Sequence, residues 1–214
     1  MKIDIISDTI CPWCFIGKRK LESALAQRPQ IRVEIHWQAF FLNPDMPKDG
    51  MDRQDYVNRK FGGKERAKEI YDRVATAGKT VAIPFRFDLI KRTPNTADSH
   101  RLIHYAGQWG YQDTVVETLF RRYFLDGQDI GDLDVLVEAA VEAGLNRNDV
   151  TAYFESDTDR QLIAASDQRA RSLGVSGVPF FVFENKYAVS GAQPPELFLQ
   201  VIDRTEQEAT TATS

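Results

Sequence analysis

Two cysteines stand near the start of the chain as Cys11-Pro12-Trp13-Cys14, and they are its only two. A pair separated by two residues can close and open a disulfide without moving the rest of a fold. A helix beginning at Pro12 aims unpaired N–H groups at the first sulfur, which lowers the cost of a thiolate at Cys11. Cys11 is therefore the candidate nucleophile, nearest the helix start and expected to be the more exposed thiol. Cys14, one turn further in, is the candidate resolving thiol that attacks a mixed disulfide. Zinc binding is the competing chemistry, because His100-x-x-x-His104 would add two ligands from one helical face. The spacing opposes it: a compact zinc site places its ligand pairs about a dozen residues apart, and here almost half the chain intervenes. No metal is expected.

Asp8, three residues before Cys11, is placed to cap the helix together with Ser7 or Thr9, or to assist proton transfer from Cys14. A carboxylate pressed against Cys11 would oppose the helix effect, so capping or a role at a distance is expected. His100 is a candidate to sit over the cysteines; His36 and His104 read as structural. Lys18, Arg19 and Lys20 read as a solvated face. Phe40, Phe41, Trp109, Phe180 and Phe181 read as core aromatics, some able to line an apolar substrate surface.

The elements that must position the cysteines follow from hydrophobic spacing. Ile3, Ile5 and Ile6 suit a strand, residues 12–27 a helix carrying Phe15, Leu21 and Leu25, and Ile31, Val33, Ile35 and Trp37 a second strand, together a βαβ start. Residues 51–173 are mostly helical in pattern, broken near 81–94 where Ile83-Pro84 and Thr93-Pro94 favour extended backbone. Leu133, Leu136, Val137, Ala140 and Val141 make one helical stripe, with Asp132 placed to cap its start and Gly144 its end. Val115, Val116, Leu119, Phe120 and Tyr123 make another. After Val178-Pro179 come two short strand patterns around a turn at Glu184-Asn185, then a final helix whose first turn suits Pro194-Pro195 and whose face is Leu197, Phe198, Val201 and Ile202.

A chain of 214 residues with 43% apolar content can bury a sizeable core, as one large domain or one with an insertion. Its 27 basic and 31 acidic residues give a net charge of −4 with no dense basic run. That argues against nucleic acid or an anionic membrane and for a small-molecule or protein substrate. Met1-Lys2 leads directly into Ile3-Asp4-Ile5-Ile6 without the features of a secretory signal. No apolar stretch is long enough to span a bilayer. The expected compartment is the cytoplasm, where a catalytic cysteine pair is more usual than a structural disulfide.

The order of these parts resembles the DsbA family, most closely its FrnE-like branch, over residues 3–202. The resemblance rests on Asp8-Thr9-Ile10-Cys11-Pro12-Trp13-Cys14 and on Gly174-Val175-Ser176-Gly177-Val178-Pro179-Phe180-Phe181. Pro94-Asn95-Thr96, His100-Arg101-Leu102 and Ser190-Gly191-Ala192-Gln193 support it. It implies an α/β thioredoxin fold with a large helical insertion: residues 1–50 and 174–204 as the thioredoxin-like domain, 51–173 as the insertion, and 205–214 as a frayed tail. It implies a cis Val178–Pro179 bond beside the cysteines, with the Val178 backbone open to an extended substrate. The catalytic set is then Cys11, Cys14 and Pro179, and the substrate-contacting set Pro12, Trp13, Val178, Asn95 and His100. Trp13 departs from the histidine of the archetypal DsbA.

The implied activity is thiol–disulfide exchange with protein or small-thiol substrates, with no metal or organic cofactor and with glutathione as a possible thiol co-substrate. Kappa-class glutathione transferases and 2-hydroxychromene-2-carboxylate isomerase share the architecture, but they carry serine where this chain has Cys11. Here Gly191 is followed by Ala192-Gln193-Pro194-Pro195, whose prolines remove two donors that could hold a glutathione carboxylate. A redox-switched, chaperone-like binding module is the non-enzymatic alternative.

Overall fold

The computed structural model describes residues 1–212. It opens with β1 (Lys2–Ser7), α1 (Pro12–Leu25) and β2 (Glu34–Ala39). β1 and β2 pair in parallel, Ile3 opposite Ile35 and Ile5 opposite Trp37, and α1 is the crossover that a parallel pair requires. The strand expected from Ile31 begins at Glu34; Ile31 and Val33 lie in the connection and pack against the core.

Residues 51–173 supply β3 (Met51–Asp52), α2 (Arg53–Phe61), α3 (Lys64–Lys79), β4 (Arg92–Thr93), α4 (Ala97–Gly107), α5 (Gln112–Phe124), α6 (Leu133–Glu142), α7 (Arg147–Phe154) and α8 (Arg160–Ser172). β3 and β4 form a two-stranded antiparallel ribbon that the apolar pattern did not announce, each strand being two residues long. Asp132 caps α6 by accepting from Asp134 N–H, and Gly144, just beyond that helix, has φ +106°, a conformation L side chains rarely adopt.

The chain then returns to the sheet through β5 (Phe180–Phe183) and β6 (Tyr187–Ser190), and ends in α9 (Pro195–Ala212). Glu184 and Asn185 both take left-handed backbone at the hairpin turn. The sheet order is β2-β1-β5-β6, with β5 antiparallel to β1. The tail expected to fray from Thr205 is instead the last part of α9 through Ala212; residues 213–214 lie outside the described residues. Thr205 is buried, and Glu208 accepts from Lys186 and Tyr187, so contacts with the hairpin hold a polar segment helical.

A main core joins the sheet to the inserted helices, and a smaller cluster of Ile6, Phe40, Ala170 and Val175 lies beside β1. Ile3, Ile5, Phe181 and Phe183 belong to the same buried cluster as Phe120, Phe124 and Leu136. Phe15 of α1 stacks on Phe120 of α5 at 5.1 Å and meets Phe85 edge-on at 6.1 Å. The helix that begins at the cysteines is thereby clamped between both parts. Three apolar residues expected inside are exposed: Trp109, 60% exposed just past α4, Leu133 at the first position of α6, and Leu197 near the start of α9. The latter two stand on helix ends where the apolar stripe turns away from the core.

Candidate functional site

Cys11 is the N-cap of α1 and Pro12 its first helical residue, where a missing N–H costs nothing. No side chain caps this helix start. Both cysteines are free thiols. Cys11 is the more exposed, but at 4% against 1% for Cys14 both are buried. The expected accessible nucleophile thus lies in a recess beside the exposed Trp13 and half-buried Pro12.

The Cys11 thiol donates to Val178 O at 3.5 Å, across the start of β5. The Val178–Pro179 peptide bond is cis. Pro179 is held from two sides: its carbonyl accepts from Gly191 N–H at 2.8 Å, and its ring faces Gly17, where a Cβ would come within 2.9 Å of Pro179 Cγ. Gly17 is a neighbour of the candidate site that sequence reasoning passed over. A glycine in a helix interior six residues after Cys11 was the available signal of close approach.

Burial pushes the Cys14 thiol well above its ordinary range, and the neighbouring Cys11 sulfur adds to the rise. The Ser7 hydroxyl and the Asp8 backbone act against it, lowering it in part. Ser7 was not singled out beyond capping, and nothing in its spacing distinguishes it.

Asp8 does not cap α1. It is fully buried; its Oδ2 accepts from Leu42 N–H at 2.8 Å, and its Oδ1 accepts weakly from Ile10 N–H and lies 3.5 Å from His100 Nε2. Thr9, also expected as a capping partner, bonds Ser99 of α4 at 2.8 Å; since Ser99 donates to Thr96 O, Thr9 is the donor. The turn between β1 and α1 is therefore fastened to α4 rather than to the helix it precedes. His100 is 4% exposed, with the Phe41 ring edge-on at 5.6 Å, and it reaches the cysteine turn through Asp8.

Asn95 is not brought to the sulfurs by any contact: its amide donates to Met46 O at 2.8 Å and its oxygen accepts from Ala97 N–H, joining the loop before α2 to the start of α4. His104 faces Asp159 at 3.8 Å and His36 faces Glu34 at 2.9 Å.

The basic run behind the cysteines is not a solvated face. Lys18 is 4% exposed and pairs with Glu22, Asp113 at 3.1 Å and Glu117 at 3.3 Å. Burial alone would lower its pKa, but Asp113, Glu22 and Glu117 more than offset this and raise it. Arg19 bonds Glu117 and stacks over Phe15, and Lys20 donates to Ala192 O. Together they tie α1 to α5 and to the loop after β6. Their partners come from distant sequence, so local spacing hides them.

A cleft of about 810 Å³ opens along β2, bordered by Ser7, Thr9, Trp37, His100, His104 and Gln112 among others. Chemically, the arrangement offers one recessed sulfur against an extended backbone, a second sulfur behind it, and a buried carboxylate–imidazole pair alongside.

Known proteins resemble the chain over nearly its whole length. A Bacillus subtilis protein, the uncharacterized YwbO, is 23% identical over 210 residues, covering 96% of this chain and 98% of its own. The crystal structure of a probable DsbA oxidoreductase from Streptomyces coelicolor superposes with a TM-score of 0.86 at 33% identity, covering 97% of this chain and 91% of that one. The cytosolic disulfide reductase DsbM of Pseudomonas aeruginosa, solved with GSH, has the same fold at 17% identity and a TM-score of 0.68, with 97% and 100% of the two chains covered. Residues 2–203 match the DSBA-like thioredoxin domain, and the chain belongs to that family.

Proposed function

We propose that the protein is a thiol–disulfide oxidoreductase working through Cys11 and Cys14. The observation that carries this reading is the Cys11 sulfur at the start of α1, 3.5 Å from the Val178 carbonyl, with a second free thiol behind it. In the reducing direction the Cys11 thiolate attacks one sulfur of a substrate disulfide, forming a mixed disulfide and releasing the other substrate sulfur as a thiolate. Cys14 gives up its proton and attacks the Cys11 sulfur, closing Cys11–Cys14 and releasing the second substrate thiolate. The substrate segment lies extended beside Val178 and Pro179, with Pro12 and Trp13 bordering the sulfur. Exchange between sulfurs needs neither metal nor organic cofactor. A small thiol of the glutathione class regenerates the pair in a cytoplasmic setting, and the pair's potential against that pool sets the direction.

The test is equilibration across glutathione redox buffers, followed by alkylation and mass analysis. A reversible disulfide between Cys11 and Cys14 is expected, with Cys14→Ser accumulating a Cys11 adduct and Cys11→Ser inert. A pair that stays reduced at every poise, or full exchange by Cys11→Ser, refutes the reading.

A further inference from the structure

Arg53, at the start of α2, is a half-buried cation whose partners are all neutral. Its Nη1 donates to the Thr93 hydroxyl at 2.9 Å and to the Tyr123 hydroxyl at 3.4 Å, and its Nη2 donates to the Tyr71 hydroxyl at 2.7 Å. Among the described residues no carboxylate pairs with it. Those bonds use three of the guanidinium's five N–H donors and leave two, the number that a bidentate carboxylate takes. A cation partly withdrawn from water without a counter-charge needs an explanation. Arg53 borders a cavity of about 670 Å³ enclosed by α2, α3 and the segment 85–91. The carboxylates on that cavity are already engaged: Asp52 caps α2, Asp72 pairs with Lys68 at 2.7 Å, and Asp88 pairs with Arg86 at 2.7 Å. Lys64 and Lys91 border it as well, and among the described residues neither is paired with a carboxylate. The cavity therefore carries uncompensated positive charge.

Its wall is apolar. Tyr71, Phe85, Phe87 and Ile90 all border the cavity. Phe87 is stacked between Tyr71 at 4.6 Å and Phe85 at 5.0 Å, and the Arg53 guanidinium lies over the Tyr71 ring at 5.1 Å. With their faces occupied in this way, the rings offer edges, which suit a flexible aliphatic body better than a flat aromatic one. We infer that the cavity binds a medium-chain aliphatic carboxylate, its head taken by the two free donors of Arg53 with Lys64 and Lys91 at the rim, and its chain laid along Tyr71, Phe85, Phe87 and Ile90. Cys11, Cys14, Val178 and Pro179 are absent from the cavity's walls, so the site is separate from the cysteine recess and does not depend on the oxidoreductase reading. Arg53 N–H already bonds Lys91 O at 2.9 Å, joining α2 to the chain entering β4. A bound carboxylate adds α3 and the 85–91 segment to that junction.

The experiment titrates the full chain, reduced, with octanoate below its micellar concentration, by calorimetry at low salt. Octanol and octylamine serve as controls of equal chain length. Saturable binding of one octanoate is expected, with both controls weaker by about tenfold or more, and octanoate should raise the melting temperature. Arg53→Met should weaken octanoate binding by about tenfold or more, because it removes charge-assisted hydrogen bonds. Lys91→Gln, at an exposed position outside the tyrosine contacts, should weaken it about threefold and reduce its salt dependence, which keeps the test decisive if Arg53→Met disturbs folding. Alkylation of both cysteines should leave the affinity unchanged. No saturable binding at millimolar octanoate, equal binding of octanol, or an affinity indifferent to both variants overturns the inference. Loss of binding on alkylation also overturns it, by placing the ligand at the cysteine recess.

Discussion

Replacing Gly17 by alanine tests whether the close approach of α1 to Pro179 sets the geometry of the cysteine site. The added Cβ would stand 2.9 Å from Pro179 Cγ and 3.0 Å from Phe181 Cζ, so one of these must yield. Alanine in a helix interior is favoured over glycine by about 1 kcal/mol, whereas forcing a methyl into a filled contact costs about 1–3 kcal/mol. The expected net loss is about 1 kcal/mol, or about 2–4 °C in Tm for a chain of this size. Phe181 is fully buried in the sheet and pairs with Ile5, so the Pro179 ring is the softer partner. Its movement carries the adjoining Val178 carbonyl off the Cys11 sulfur. The Val178 backbone along which the substrate segment lies moves with it, and one substrate hydrogen bond lost there, worth about 0.5–1.5 kcal/mol, should lower the second-order rate with an oxidised peptide about two- to thirteenfold. Calorimetric melting of the reduced protein and stopped-flow exchange would measure both. A Gly17→Ala protein with raised Tm and unchanged rate would refute the reasoning, because it would show that the loop before β5 absorbs the methyl without disturbing the sulfur.

Two further outcomes follow from the buried charges and thiols. Cys14 is held protonated by burial in the folded, reduced protein, while the unfolded chain ionises it near its ordinary value of 9.0; the unfolded state then binds fewer protons, so stability should fall as pH rises above about 9. Urea unfolding of the reduced protein from neutral to alkaline pH should show this slope, and Cys14→Ala should flatten it. Lys18→Met removes the buried ammonium from among Glu22, Asp113 and Glu117 and should cost on the order of 2 kcal/mol, moderated by the carboxylates' partial access to water. Thermal melting should show a Tm lower by about 4–8 °C, and an unchanged Tm would mean that the Arg19–Glu117 pair and the Phe15–Phe120 stack hold α1 to α5 without Lys18.

The parts of the site carried by contiguous residues were legible. Pro12 at the first helical position and the run through Val178-Pro179 into Phe180 are local patterns, and local backbone preference decides them. Buried polar contacts were not legible. Asp8 has the spacing of a capping residue, yet its carboxylate is taken by Leu42 N–H and faces His100, groups 34 and 92 residues away in sequence. Lys18, Arg19 and Lys20 look like any solvated helical run until α5 delivers Glu117 and Asp113 to them. Trp109 follows the opposite rule: its type predicts burial, but α4 ends just before it and, with Tyr105 at 6.5 Å, the residue stays 60% exposed. The helical reading of residues 51–173 survived because apolar periodicity reports burial directly, whereas β3 and β4 are too short to have a period. Asn95 drew attention through family resemblance, and its contacts explain it as a loop fastener.

The pairing of β1 with β5 has a consequence for how the chain becomes active. Ile3 stands opposite Phe183, so the backbone that meets Cys11 is made long after Cys11 itself. At a translation rate of about 5–20 residues per second, the first strand waits about 10–40 s for its neighbour. Throughout that interval the Cys11-Pro12-Trp13-Cys14 segment is an unshielded dithiol on a growing chain, able to react with any passing disulfide and lacking the Val178 carbonyl that later meets its first sulfur. Long-range closure of this sort is also slow after release from the ribosome. Under the proposed function, selectivity toward disulfides is acquired only when β1 and β5 meet, and premature oxidation of the nascent segment is the hazard that this topology builds in.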